Sequence, residues 1–209
     1  MSQHTHEVEL KYLIDKNKIG DLRVFLNTYL LPQTTLQLAN VYFDTNATDL
    51  GNAKIGLRIR RWNDQCEQTV KLAGRASGAQ SERPEYTASC TTEIPNLALF
   101  PAHIWPKHWN LESVQAALIV QFRTDFRRER WLLKEGDSVA EVALDQGLIL
   151  AAEQTEEISE LEVEMQRGCL DDLLPTIEQI CSEFSLLPGS KSKAQRGYAL
   201  LARSQRKDL

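Results

Sequence analysis

The chain has 209 residues, enough for one sizeable domain, and its 42% apolar and 25% charged content place it among ordinary globular proteins rather than disordered or fibrous ones. Its 24 basic and 29 acidic side chains leave a formal charge of −5, which argues against a general attraction to nucleic acid or anionic membrane. Cys66, Cys90, Cys169 and Cys181 are scattered and His4, His6, His103 and His108 lack zinc-like spacing, so neither a disulfide framework nor a zinc site is expected. With no signal-like opening segment and no apolar run near the roughly 20 residues of a membrane span, the expected compartment is the cytoplasm.

Residues 5–14 read as a strand. Asp15 is an N-cap for a helix over 16–30, with Ile19, Leu22, Phe25, Leu26 and Tyr29 on its apolar side, and Pro32 ends it. Strands follow at 36–44, 54–63 and 65–73, the last two joined by Asn63-Asp64 as a hairpin turn. The Gly/Ser-rich stretch Ala73–Ser81 predicts a mobile loop before a strand at 82–91. Residues 93–118, with Pro95, Pro101, Pro106, Trp105 and Trp109, predict short helices packed outside a sheet. Strands at 120–133, 138–145 and 148–153 are separated by the turn-like Glu135–Ser138 and Gln146-Gly147. A strand at 158–166 leads into helices at 170–184 and 191–205, the first perturbed early by Pro175.

Eight or nine strands joined by short turns favour one antiparallel sheet, closed or nearly so, and about eight suit a small barrel with a lumen. The expected class is α+β, mainly β. Helices or a second copy of the chain would cover the apolar outer faces, so a homodimer is open.

Three strands carry charge at every second position. Glu7, Glu9 and Lys11 share one face, as do Arg58 and Arg60, and Glu160, Glu162 and Glu164. Further acids are Glu85, Glu141 and Asp145; further bases are Lys71, Arg83, Arg128, Arg130 and Lys193. A single such strand is commonly a solvated face with cross-strand ion pairs. Segregation into an all-acid strand (160–164) and an all-base strand (58–60) argues instead for a shared interior. Clustered carboxylates suit Mg2+ or Mn2+, and guanidinium forks suit phosphate oxygens, so the combination points to a substrate with several phosphates. Phosphoryl transfer needs mainly positioning and charge neutralisation, and no side-chain nucleophile is required.

Glu7-x-Glu9-x-Lys11 resembles the E-x-E-x-K signature of the CYTH superfamily, the triphosphate tunnel metalloenzymes. The resemblance covers the chain in order. It includes Tyr42-Phe43-Asp44-Thr45, Leu57–Arg60, Thr69-Val70-Lys71, Arg83-Pro84-Glu85-Tyr86, Arg128–Trp131, Glu141–Asp145, Glu160–Glu164 and Ser190–Lys193. It is similar in particular to the bacterial inorganic triphosphatase type, through Arg83–Tyr86, Ala143–Gly147 and Ser192–Tyr198. Those relatives often continue into a helical CHAD module, to which nothing in these residues corresponds, and residues 1–209 read as a single CYTH domain.

The resemblance implies an eight-stranded antiparallel tunnel and metal-dependent hydrolysis of inorganic triphosphate to pyrophosphate and phosphate, with a metal-activated water as nucleophile. It implies substrate binding by Lys11, Arg58, Arg60, Lys71, Arg83, Arg128, Arg130 and Lys193. Metal would be held by Glu7, Glu9, Glu85, Glu160 and Glu162, and the catalytic set would be Glu7, Lys11, Glu141 and Asp145. Glu164 is expected at the rim as support, and Tyr42 either hydrogen-bonds Lys11 or simply packs. Class IV adenylate cyclase, thiamine triphosphatase and a non-catalytic polyphosphate-binding module remain alternatives. Trp62, Trp105, Trp109 and Trp131 read as outer packing, and Arg203, Arg206 and Lys207 as a solvated helix surface. Gly74, Ser77 and Gly78 lack the tail of a P-loop and read as a hairpin connection.

Overall fold

The computed structural model describes residues 2–205. Its strands are β1 (Gln3–Leu13), β2 (Leu31–Pro32), β3 (Leu36–Asp44), β4 (Gly56–Trp62), β5 (Gln65–Lys71), β6 (Arg75–Ser77), β7 (Gln80–Ser89), β8 (Ile119–Glu135), β9 (Ser138–Ala151), β10 (Gln154–Arg167) and β11 (Leu187–Pro188). The α-helices are α1 (Ile19–Tyr29), α2 (Asp49–Asn52), α3 (Leu111–Ala116), α4 (Leu170–Phe184) and α5 (Lys193–Gln205). Short 3-10 turns occupy Lys16–Lys18, Leu97–Leu99 and Ala102–Ile104.

Eight strands close a ring in the order β1-β10-β9-β8-β3-β4-β5-β7, and β7 returns to β1 from Gln3↔Thr87 to Leu10↔Gln80. All pairings in the ring are antiparallel. Closure leaves no long unpaired edge, and it gives every strand an inner and an outer face. The short strands β2, β6 and β11 attach to β8, β7 and β1.

Local chemistry accounts for most of the connections. Asp15 caps the 3-10 turn before α1 by accepting from the Asn17 N–H, and the helix ends at Tyr29, short of Pro32. The β4–β5 hairpin turns at Asn63, whose φ of 48° suits asparagine in the left-handed region. The chain runs on through α4 past Pro175 without a break.

Two expectations need correction. Gln146-Gly147 is not a turn: β9 continues through it, and the chain reverses at Ala152 instead (φ 49°). Gly147 lies opposite Phe126, and a Cβ there would come within 2.2 Å of the Asp125 carbonyl oxygen, so this glycine serves close strand approach. The stretch 73–81 is also no unstructured loop. It folds back as β6 on β7 through Gly78, whose φ of 59° supplies the reversal.

Three apolar clusters surround and enter the barrel. α1 and α4 cover the outer faces of β1, β8, β9 and β10, with Leu22 and Leu26 against Leu144, Val163 and Ile177. Fully burying each such leucine contributes about 1.5–3 kcal/mol. Residues 97–118 cover β3, β4, β5 and β7, where Phe100, Trp105 and Val114 meet Leu57, Ile59 and Val70. The third cluster is internal. Leu200 and Tyr198 of α5 pack with Leu38, Tyr42, Phe122, Phe126, Ile149 and Ile158, so α5 fills part of the barrel. Trp62 joins that inner cluster, whereas Trp105, Trp109 and Trp131 lie outside as expected. The reason is parity, because Trp62 shares the face of Arg58 and Arg60.

Arg203 is exposed, and Arg206 and Lys207 lie outside the described residues. Among the described residues no helix is long and apolar enough to cross a membrane.

Candidate active site

Period-two alternation sends the charged positions of β1, β4, β5, β7, β8, β9 and β10 into the barrel, where they line a cavity of about 690 Å3. Glu7, Glu9 and Lys11 reach it from β1, Arg58 and Arg60 from β4, and Lys71 from β5. Arg83 and Glu85 come from β7, Arg128 from β8, Glu141 from β9, Glu162 and Glu164 from β10, and Lys193 from the start of α5.

One part of this wall is neutralised from within. Arg128 donates to both Asp145 oxygens at 2.8 and 2.7 Å and also contacts Glu162. Lys193 donates to Asp145 at 2.6 Å and to Glu162 at 3.0 Å, contacts Glu160, and lies 4.9 Å above the Phe126 ring. Lys11 donates to Glu162 at 2.5 Å and sits 2.9 Å from Glu9. Arg196 of α5 donates to Glu160 at 2.9 Å and to Glu156 at 2.7 Å. Burial raises the cost of ionising Glu162, but Lys11, Lys193 and Arg128 outweigh it and hold the carboxyl well below the ordinary range. Oxygens of Asp145, Glu160 and Glu162 lie within 4.8 Å of one another, a spacing that suits a cation. Four basic side chains already hold that triad.

Around Arg58 the balance is reversed. Arg58 is buried, and its Nε has no hydrogen-bond partner. Thr69, its register partner on β5, is fully buried with an equally unpartnered hydroxyl. Arg60 donates to the Asn40 side-chain oxygen at 2.8 Å, and its nearest carboxylate, Glu67, is 3.9 Å away. Burial together with the charges of Arg58 and Arg128 pushes the Arg60 guanidinium down to about 10. Buried donors without partners cost about 1–3 kcal/mol each, more when charged, unless an anion completes them.

The acids divide in the same manner. Glu7 accepts from Lys71 at 2.7 Å and Arg83 at 2.8 Å; these cations override its burial and hold it far below the usual carboxylate range. Glu85, 2.6 Å from Lys71, is also lowered, burial being outweighed by Lys71 and Arg58. Glu9 is raised, by burial and the neighbouring Glu162 charge, despite Lys11. Glu164 lies opposite Glu9 in register and makes no ion pair among the described residues; burial and the charge of Glu7 push it up to about 7. Glu9 and Glu164 are therefore under-neutralised, and hard oxygen ligands of this kind are what a divalent cation takes.

Asp145 and Glu160 sit behind the wall, fully buried, and hold Arg128, Lys193 and Arg196 rather than facing open space. Arg130 is turned aside, donating to the Thr34 carbonyl at 3.0 Å and to Glu141 at 3.3 Å, and does not line the cavity. Glu164, expected at the rim, lines the cavity. Tyr42 stacks on Phe122 and meets Arg58, not Lys11. Sequence reasoning placed Thr69, Lys191 and Arg196 within motifs without giving them a site role, and it did not single out the cavity-mouth cations Lys54 and Arg75. Inward parity with Lys71 marked Thr69; nothing local marked the mouth cations.

The model of the CYTH domain family matches residues 5–198. A curated inorganic triphosphatase of Haemophilus influenzae is 34% identical over 200 residues, which are 93% of this chain and 54% of that protein. The chain thus spans about half the length of the curated relative it matches. Among solved structures, the Hippeastrum adenylyl cyclase candidate HpAC1, described as having a dominant triphosphatase activity, superposes with a TM-score of 0.67 at 20% identity, over 95% of this chain and 96% of that one. An adenylate cyclase candidate from Bacillus halodurans gives 0.58 at 19% identity, over 92% and 97%. These two likenesses bear on the fold.

Proposed function

The chain belongs to the CYTH domain family, and on that premise we propose that residues 1–209 form one such domain that hydrolyses inorganic triphosphate to pyrophosphate and phosphate. The observation that carries this reading is the wall of Arg58, Arg60 and Thr69, where the buried Arg58 Nε and Thr69 hydroxyl have no partner and Arg60 meets no carboxylate closer than Glu67 at 3.9 Å. A linear triphosphate supplies the charge and the acceptor oxygens that these donors lack. The activity of the Haemophilus influenzae relative supports the same reaction.

In this reading Arg58, Arg60, Lys71, Arg83, Arg128, Lys11 and Lys193 receive phosphate oxygens. Arg130 acts through Glu141, which it orients. Asp145 and Glu160 are positioning residues that aim Arg128 and Lys193 into the cavity. The under-neutralised pair Glu9 and Glu164, with Glu7, Glu85 and Glu162 beside it, fits a divalent cation, Mg2+ or Mn2+. Such a cation would offset phosphate charge and lower the pKa of a bound water. Glu7, kept ionised by Lys71 and Arg83, and Glu141 are the carboxylates available to orient that water. Hydrolysis breaks one terminal P–O–P link, and negative charge grows on the departing pyrophosphate oxygen. Fixed guanidinium groups neutralise it without reorganising.

A nucleotide cyclase or thiamine triphosphatase needs a seat for an organic ring. The aromatic residues lining the cavity are Tyr42 and Tyr198, both engaged with Phe122 in the internal cluster. The test is product analysis with triphosphate, ATP and thiamine triphosphate at equal concentration, with Mg2+ or Mn2+ and with chelator. Metal-dependent release of phosphate and pyrophosphate from triphosphate, with the highest kcat/KM of the three, is expected. Cyclic AMP as the main product, or tight triphosphate binding without turnover, would replace this reading by one of the alternatives.

A further inference from the structure

Two of the four cysteines face one another outside the barrel. The β5–β7 register runs through Gln68↔Ala88 and Glu67↔Ser89, and one step further the Cys90 N–H donates to the Cys66 carbonyl oxygen at 3.1 Å. Both side chains fall on the outer face, in the cluster of Leu57, Val70 and Ala88. The Cys66 thiol donates to the Cys90 sulfur, and Cys90 in turn donates to the Thr92 carbonyl oxygen at 2.9 Å. Cys90 is buried, whereas Cys66 is half-buried. Neither thiol lines the charged cavity, which lies on the opposite face of the same strands.

This geometry suits a bond between the two sulfurs. Hydrogen-bonded register partners in an antiparallel pair have Cα atoms about 5.5 Å apart, inside the roughly 4.4–6.8 Å that a disulfide spans. Cys90 lies one residue past the end of β7, and the pairing of β7 with β1 stops at Thr87. The sheet therefore holds Cys90 on one side only, and it is free to close the remaining gap. Cys169 and Cys181 offer no such pair. Cys169 caps the start of α4, and Cys181 lies about 18 Å further along that helix, in the cluster under α1 and α4.

We propose that Cys66 and Cys90 form a reversible thiol–disulfide modification site, oxidised by low-molecular-weight disulfides, whose closure fastens β5 to β7. The Cys66 thiolate attacks one sulfur of the small disulfide and releases its other half as a thiolate. Cys90 then attacks the Cys66 sulfur of the mixed disulfide and expels the second half, which leaves with the Cys90 proton as a thiol. Two protein thiols are oxidised, and one small disulfide is reduced to two thiols. Half-buried Cys66 takes the first step because the oxidant reaches it, and buried Cys90 resolves from within. Burial and the hydrogen bond to Cys90, with the charge of Glu67, outweigh Arg61 on β4 and push the Cys66 thiol up to about 11. Oxidation is accordingly slow at neutral pH and quickens as pH rises. The closed loop, residues 66–90, carries Thr69, Lys71, Arg83 and Glu85, so the bond pins two strands of the cavity wall without entering the cavity. The site is independent of the reaction proposed above.

The test exposes the wild-type chain to oxidised glutathione between about pH 7 and 9 and maps its peptides by mass without reduction. A cross-linked Cys66–Cys90 peptide is expected, forming about tenfold faster per pH unit and disappearing with dithiothreitol. In the Cys169→Ser/Cys181→Ser variant, which leaves only this pair of thiols, oxidation should raise the urea midpoint and reduction should return it. Adding Cys66→Ser to that variant should abolish the shift. A stable glutathione adduct on Cys66 with Cys90 left free overturns the proposal, as do cross-links to Cys169 or Cys181, or a Cys66–Cys90 bond that leaves the midpoint unmoved. The peptide map is made on the wild-type chain, so it decides the matter even where a serine variant folds poorly. Neither readout uses triphosphate turnover, so the two proposals fail separately.

Discussion

Around Asp145 the cavity wall carries its own close counter-charges, whereas around Arg58 the protein leaves a guanidinium Nε and a hydroxyl buried without hydrogen-bond partners. The first region joins β8, β9 and β10 to α5 through Arg128, Lys193 and Arg196, and each of its carboxylates meets a cation of the protein itself. In the second, Glu85 and Glu67 favour the charged form of Arg58 without closing its Nε, and that donor and the Thr69 hydroxyl stay open to an anion. Buried charge of the first kind holds structure together, and buried charge of the second kind is reserved for binding.

Breaking that comparison is most direct with one arginine from each side. Arg128→Ala removes the bidentate partner of buried Asp145 and one of three cations on Glu162, and should cost about 3 kcal/mol of stability, read as a lowered urea midpoint. Arg60→Ala removes a crowded cation and should leave the midpoint unchanged or raised, while triphosphate affinity falls about 10- to 100-fold, as expected for losing a hydrogen bond to a charged group. Equal destabilisation by both changes would erase the distinction.

Glu9→Gln sharpens it on the acidic side. Because burial and Glu162 already push this carboxyl toward neutrality, the substitution should leave the metal-free fold intact. Hydrolysis should drop by more than the about 10–100-fold lost with an outer ligand partner, with triphosphate affinity largely retained. Retained turnover would remove Glu9 from the metal-holding set.

The smallest effect concerns pH. Glu164 is raised from 4.5 to about 7 in the folded protein, so the native state holds this proton more tightly than the unfolded chain between those values. Its contribution is fully present below about pH 4.5 and is lost as pH rises through about 7. Metal-free Glu164→Gln should therefore match wild type near pH 4.5 and exceed it by about 3 kcal/mol at pH 8, measured by urea unfolding. Added Mn2+ should close the gap if Glu164 faces the cation.

Much of this was legible in the residues themselves. Glu7, Glu9, Lys11, Arg58, Arg60, Glu162 and Glu164 share inward faces because a strand alternates strictly, and the same parity placed Trp62 inside once it was applied. Gly147 was misread because a glycine in a strand and a glycine in a turn look alike until the opposing residue, Phe126, is known. The hairpin connection at Gly74–Gly78 was legible, but not the strand β6 within it, because Arg75–Ser77 is only three residues long and has no apolar alternation to mark it. Inward parity could not separate Arg128, which meets two acids, from Arg58, which meets none aligned with its Nε.

By itself the sequence determined which side chains enter the barrel, since face is a matter of counting by two along one strand. Tertiary structure decided which of them meet: closure of β7 onto β1, the opposition of Glu9 and Glu164, and the entry of α5 with Lys193. The physical reason is that ion pairing depends on distances of a few ångströms between residues more than a hundred positions apart, and register around the closed ring sets those distances.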